Sequence, residues 1–349
     1  MQKLKIAFFD AKPYDVDSFN RANEKYRYAI DYFQGHLNPQ NAPICSGHDV
    51  LCIFVNDTLD AGIADTLAAD GIRLVALRSA GYNNVDLKAV YRRIHVVRVP
   101  AYSPHAVAEH AVALMLSLNR KTHKAYFRTR DNNFNITGLM GFDMFGKTAG
   151  VVGTGKIGAI AAGILRGFGM RVLAYDAFPR PALEREFGFS YTDLDTLYRE
   201  SDIITLHCPL TPETHHLINA DSIAKMKPGV MIINTGRGKL LSTVDLIEGL
   251  KSGKIGAAGL DVYEEETEYF FEDFSASIVS DDVLARLLTF PNVLITSHQG
   301  FFTAEALQAI AVTTLENIRL FFEEDKLPNE ICYRCTEKTC LREKTGRCF

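Results

Sequence analysis

Three residues far apart in the chain supply a complementary set of chemical groups: a permanent cation, a titratable ring and a carboxylate. Arg237 lies in Asn234-Thr-Gly-Arg-Gly238, just past a predicted strand, and His298 lies in Thr296-Ser-His-Gln-Gly300, just past another. Glu266 closes Asp261-Val-Tyr-Glu-Glu-Glu266 behind a third predicted strand. A guanidinium can grip a carboxylate and polarise an adjacent carbonyl, while an imidazole can hand a proton to the carbonyl oxygen near neutral pH. A carboxylate against that ring favours its charged form. In open α/β sheets ligands gather beyond the carboxyl ends of strands, so the three positions are expected to converge. Each type also has an ordinary use. Most arginines are surface charges, Glu264–Glu266 reads equally as a solvated acidic run, and the chain has ten histidines. His207 also ends a predicted strand and is the rival imidazole.

A second pattern lies upstream. Gly153-Thr-Gly155-Lys-Ile-Gly158 follows an apolar strand and opens an apolar helix. The first glycine makes a tight turn, the second lets backbone approach a pyrophosphate, and the third lets helix pack on strand. Amides at the helix start then meet phosphate with the positive end of the helix dipole. Asp176 stands eighteen residues beyond Gly158 at the end of the next strand. There it can accept from ribose hydroxyls and repel a 2′-phosphate, which favours NAD over NADP.

Alternating apolar runs and helical stretches must position these groups. Lys5–Phe9, Val50–Val55, Leu74–Leu77 and Val96–Val99 read as strands buried on both faces, with helices over Ile63–Asp70 and Asp86–Arg92. Pro104 opens an alanine-rich helix to about Arg120, capped by Ser103. Strands follow at Lys147–Val152, Arg171–Tyr175, Ile203–His207, Val230–Asn234, Ala257–Asp261 and Val293–Thr296. Helices are read at Ile160–Phe168, Leu194–Glu200, Asp221–Lys225, Thr243–Ser252 and Ala304–Phe322. Such βα repetition predicts an α/β protein of two doubly wound parallel-sheet domains. Residues 102–298 form a Rossmann-type NAD domain. Residues 1–101 and 299–349 form a flavodoxin-like substrate domain that ends in a cysteine-rich tail.

Composition narrows the partners. A net charge of −4, with no long single-sign block, gives no reason to expect nucleic acid or an anionic membrane surface. No stretch reaches the ~20 apolar residues of a membrane helix, and the N-terminus has no secretory leader pattern. A cytoplasmic protein is expected. Of seven cysteines, Cys45, Cys52 and Cys208 read as small buried hydrophobes of a reducing compartment.

The ordered blocks together resemble the D-isomer-specific 2-hydroxyacid dehydrogenases, and within them the D-lactate dehydrogenases. The resemblance runs from Lys3 to about Glu330. It rests on Arg78-Ser-Ala-Gly-Tyr-Asn-Asn-Val-Asp86, Pro100-Ala-Tyr-Ser-Pro-His-Ala-Val-Ala-Glu-His110, Gly153–Gly158 and His207-Cys-Pro-Leu-Thr211. It continues through Asn234–Gly238, Gly259-Leu-Asp-Val-Tyr-Glu-Glu-Glu266 and Pro291–Thr303. The resemblance implies that Arg237 grips substrate, His298 is the proton donor and Glu266 its carboxylate partner. Tyr102 and the backbone of Ser79, Ala80 and Gly81 would complete the substrate site, with Phe301 and Phe302 restricting its size. Lys156 (through its backbone), Ile157, Asp176, Cys208, Pro209, Thr214, Thr235, Gly236 and Asp261 match the family's NAD-contacting positions. Asp261 would hold the carboxamide. The resemblance also implies a cleft separating the two domains. The implied reaction is reversible NADH-dependent reduction of pyruvate, or a similar small 2-oxo acid, by a homodimer joined through its coenzyme domain. Two alternatives stay open: a D-2-hydroxyisocaproate-type enzyme with a wider pocket, and a non-enzymatic NAD-responsive binding protein of the same fold.

Cys332-X2-Cys335-X4-Cys340-X7-Cys348 lies beyond that resemblance. Four thiols can complete a zinc or iron–sulfur site, although these spacings fit no standard finger. Disulfides or free thiols are the other readings.

Overall fold

The apolar runs become two parallel sheets in the computed structural model, which describes residues 3–265, 269–335 and 342–349. The chain divides into two compact units, Met1–Ser103 with Thr303–Phe349, and Pro104–Phe302.

The first unit carries β1 (Lys5–Phe8), β2 (Ala29–Tyr32), β3 (Val50–Ile53), β4 (Leu74–Leu77) and β5 (His95–Val97). They pair in parallel in the order β2-β1-β3-β4-β5, the flavodoxin-like winding. Central β3 and β4 are buried at every residue, which is why they read as unbroken apolar runs. Two elements escape the sequence pattern. The helix Pro13–Asn23 buries Asp15 and Ser18 beside Phe19 and Ala22, so its inner face shows no apolar period. The edge strand β2 is short and half-exposed. That helix packs against Ala304–Glu324, the long helix that brings the chain back to this unit.

Beyond the carboxyl ends of β1 and β4 sits a buried ion cluster. Arg78, 1% exposed, donates from Nη2 to the Asp10 carbonyl at 2.6 Å and lies 3.5 Å from Asp15 Oδ1. Its guanidinium lies over the rings of Phe8 and Phe54, with centroids 4.5 and 4.8 Å away. Breaking such a buried pair from one side generally costs about 3–5 kcal/mol, because the remaining charge stays desolvated. The arrangement fixes the start of the loop Ser79-Ala-Gly81. That loop is closed by Ser79 Oγ donating to the Gly81 carbonyl (2.8 Å) and Arg98 donating to the Ala80 carbonyl (2.7 Å).

The second unit carries β6 (Thr148–Val152), β7 (Arg171–Tyr175), β8 (Ser190–Tyr191), β9 (Ile203–Leu206), β10 (Val230–Asn234), β11 (Ile255–Leu260) and β12 (Val293–Ile295). All pairs are parallel, in the order β12-β11-β10-β9-β6-β7-β8. Counted from β6, this is the Rossmann winding with one strand added at the β12 edge, and the order reverses between β6 and β9. Successive residues feed opposite cores. Val151, Ile203, Met231 and Ile233 pack on one face, and Val152, Ile204 and Ile232 on the other. The helix Pro104–Arg120 covers the first of these faces. Its alanines permit the close approach, and a side chain at Gly259 would strike Leu114 and Leu118. Among the described residues no helix is long and apolar enough to cross a membrane.

Candidate active site

The glycine turn sits at the sheet's reversal point, and its three glycines have three separate reasons. Gly153 has φ +91°, and a Cβ there would lie 2.5 Å from the Cys208 amide nitrogen. A Cβ on Gly158 would sit inside the Gly153 carbonyl oxygen. At Gly155 a Cβ would meet nothing within 4 Å, so this backbone is open to a ligand. The helix begins at Lys156, earlier than the sequence suggests, so Ile157 and Gly158 belong to its first turn. Gly155 is its N-cap and offers no side chain to the leading amides, which leaves them for an anion.

Asp176 is anchored beside this turn. Its Oδ2 accepts from the Thr154 amide (2.7 Å) and hydroxyl (3.0 Å), and its Oδ1 accepts from the Phe178 amide (2.9 Å). Partial burial works to raise its pKa, but those donors and the Arg180 guanidinium prevail and hold the carboxyl below its usual range. The group is therefore anionic at neutral pH. Asp176→Asn keeps the shape and removes the charge. The ratio of kcat/KM for NADH to that for NADPH should fall roughly tenfold or more in this variant. An unchanged ratio would dissociate Asp176 from coenzyme choice.

Further polar groups face the same strand ends. Thr214 Oγ1 donates to the Pro209 carbonyl (2.7 Å) and shapes the loop after Cys208. Burial pushes the Cys208 thiol up to about 11, so it is a neutral wall rather than a nucleophile. The Thr235 hydroxyl is buried with no hydrogen-bond partner among the described residues. An orphaned hydroxyl, an open glycine and an anionic carboxylate together fit a dinucleotide.

The catalytic candidates follow three neighbouring strands: Arg237 follows β10, Asp261 follows β11 and His298 follows β12. Asn234 ties down the first loop, accepting from the Gly236 amide (3.0 Å) and donating to the Arg237 carbonyl (2.8 Å). The Arg237 side chain is exposed, and Gly238 lets this loop press on the next. A Cβ at Gly238 would lie 2.0 Å from the Tyr263 carbonyl oxygen.

Asp261 is the hub of the other two loops. It is 1% exposed, and its Oδ1 accepts from Thr296 Oγ1 (2.6 Å) and the Gln299 amide (2.9 Å). Its Oδ2 accepts from the Gly300 amide (2.7 Å), and its carbonyl accepts from the His298 amide (2.8 Å). His110 Nε2 stands 3.2 Å from Oδ1 and 3.0 Å from Thr296 Oγ1. His298 itself has φ +47°, in the left-handed region that non-glycine residues visit uncommonly. The resemblance gives Asp261 to the carboxamide. Here most of its accepting capacity holds the His298 loop, a role invisible in sequence because the donors are mainly backbone amides.

The rival imidazole is less suited to moving a proton near neutrality. His207 is pushed down to about 4, and its Nε2 meets Thr205 Oγ1 at 3.0 Å, so the ring is neutral across the physiological range. Glu266, the sequence's partner for His298, lies outside the described residues. A different pair emerges nearby: Glu264 Oε2 meets His216 Nε2 at 2.8 Å, and its Oε1 accepts from the Thr243 amide at 2.6 Å. Burial works to raise Glu264, but the Thr243 donors and His216 outweigh it and hold the carboxyl low. Phe301 is buried and Phe302 is 47% exposed. Ser79, Ala80 and Gly81 follow β4 in the first unit, as described above, and Tyr102 is half-buried just before the first unit's boundary at Ser103.

Known proteins match this architecture. The sequence profile of the D-isomer specific 2-hydroxyacid dehydrogenase NAD-binding domain matches residues 112–300. D-lactate dehydrogenase of Escherichia coli is 49% identical over 94% of this chain and 100% of that protein. Its apo structure superposes with a TM-score of 0.87 at 48% identity, covering 94% of this chain and 100% of that one. The pyruvate reductase of Chlamydomonas reinhardtii gives a TM-score of 0.88 at 45% identity, covering 91% of this chain and 96% of that one. With its glycine turn, ionised Asp176 and two wound sheets, the chain belongs to the D-isomer-specific 2-hydroxyacid dehydrogenases and is an NAD-dependent oxidoreductase of that family.

Proposed function

We propose that this enzyme reduces pyruvate, or a 2-oxo acid of similar size, to the D-2-hydroxy acid with NADH, and runs in reverse with NAD. The observation that carries the reading is the left-handed His298, hydrogen-bonded to Asp261 one strand away from the Arg237 loop. When bound, the dinucleotide supplies or takes up the hydride. Gly155, the leading amides of the helix at Lys156, Asp176 and Thr235 would hold it. Arg237 binds the substrate carboxylate and draws charge onto the carbonyl oxygen. His298 gives that oxygen a proton during reduction and recovers it during oxidation, with Glu266 as the carboxylate that favours the charged ring. Ser79, Ala80, Gly81 and Tyr102 contribute to substrate binding, and Phe301 limits its side chain. Pyruvate is supported by the names of the Escherichia coli and Chlamydomonas proteins.

A cytoplasmic homodimer completes the reading. Cys45, Cys52 and Cys208 are free thiols, which suits a reducing compartment. The second unit exposes Phe127, Phe134, Ile136, Met140 and Phe145 along one segment, an apolar surface suited to a second copy. The test is NADH oxidation against a panel of 2-oxo acids, with product chirality determined. Pyruvate should give the highest kcat/KM, and the product should be D-lactate. A faster branched-chain substrate, an L product or no turnover at all would overturn the proposal.

A further inference from the structure

The cysteine-rich tail belongs to neither the coenzyme turn nor the catalytic loops, yet three of its thiols meet. Cys335 Sγ lies 4.0 Å from Cys332 Sγ and 3.9 Å from Cys348 Sγ, and all three sulfurs fall within 4.8 Å of one another. A tetrahedral zinc with Zn–S bonds of about 2.3 Å requires sulfurs about 3.8 Å apart. A disulfide requires about 2.05 Å, and could join only two of the three. Backbone amides also meet the sulfurs. The Cys332 amide donates to Cys335 Sγ at 3.1 Å, and the Arg334 amide donates to the Cys332 sulfur. Cys332 and Cys348 are 5% and 2% exposed, so the centre of the cluster is closed to substrate.

We propose that Cys332, Cys335 and Cys348 bind a structural zinc ion. Cys340, the tail's remaining thiol, lies outside the described residues. The site closes a loop of the chain against the first unit's sheet. The Ile331 amide donates to the Val96 carbonyl of edge strand β5 at 2.9 Å. Glu330, fully buried, meets His95 Nδ1 at 2.5 Å and accepts from the Cys348 amide. The Phe349 ring stacks on His95 at 4.3 Å, and Tyr333 packs edge-on against Tyr91. The metal would pin both ends of this segment over an otherwise open edge of backbone donors and acceptors.

The test uses full-length protein made with zinc in the medium and purified under reducing conditions without chelator. Elemental analysis should find about one zinc per chain, released when a mercurial titrates the thiols, and exchange for Co(II) should produce thiolate-to-cobalt charge-transfer absorption. Cys335→Ser and Cys348→Ser should each retain less than about a tenth of the zinc. Both should unfold at lower temperature and keep wild-type kcat and KM in the cold. Fully reduced wild-type protein without zinc, iron with inorganic sulfide in its place, or undiminished zinc in both variants would each overturn the assignment. None of these outcomes bears on turnover of 2-oxo acids, so this proposal and the catalytic one fail separately.

Discussion

His298→Asn should reduce the 2-oxo acid about 10²–10⁴-fold more slowly than wild type, the usual contribution of a positioned general acid. Asparagine is the appropriate replacement because it tolerates a positive φ, and His298 sits at +47°. The loop then keeps its course, and the lost activity reports the imidazole rather than a rearranged backbone. Nearly full activity in His298→Asn would remove His298 from the proton step.

Asp261→Ala is expected to be almost as damaging, although its carboxylate acts largely through the loop it holds. Its loss leaves the Thr296 hydroxyl and the Gln299 and Gly300 amides without their acceptor. Each lost charge-assisted bond is worth roughly 1.5–3 kcal/mol. A displacement of about 1 Å at a reacting group can cost around 10²-fold in rate. The variant should therefore lose on the order of 10²-fold in kcat, with substrate KM changing far less, since Arg237 is held by Asn234 and not by Asp261. Stopped-flow turnover combined with thermal unfolding measures both effects. A large rise in KM at constant kcat would show that Asp261 serves binding and not the placement of His298.

The sheets were legible because parallel strands buried on both faces are simply apolar, and every central strand of both units announces itself that way. The glycine turn was equally legible, with Gly153 and Gly158 each answering to a close backbone approach and Gly155 to open space, as the spacing anticipates. What stayed hidden was polar or local. The helix Pro13–Asn23 turns an aspartate and a serine inward, and Thr122–Arg130 buries nothing at all, so neither shows an amphipathic stripe. Asp282–Leu288 and Pro181–Phe187 are two-turn helices too short to carry a period. Within the site, Arg237 and His298 could be read from their places after strands. The Asp261 hub could not, because its partners are mostly main-chain amides of residues nearly forty positions away. The His216–Glu264 pair joins residues with no spacing rule between them.

The first unit is assembled from two stretches of chain with the whole of Pro104–Phe302 inserted between them. Translation at about 5–20 residues per second therefore imposes a wait of roughly 10–40 s between the two halves. During it the β1–β5 sheet exists without the helix Ala304–Glu324 that packs on its β4 strand and on Pro13–Asn23. The coenzyme-binding half, contiguous in the chain, is free to condense on emerging from the ribosome. The first unit is synthesised first and finished last, and in the interval its uncovered valines and leucines are the nascent protein's point of exposure to aggregation and to chaperones.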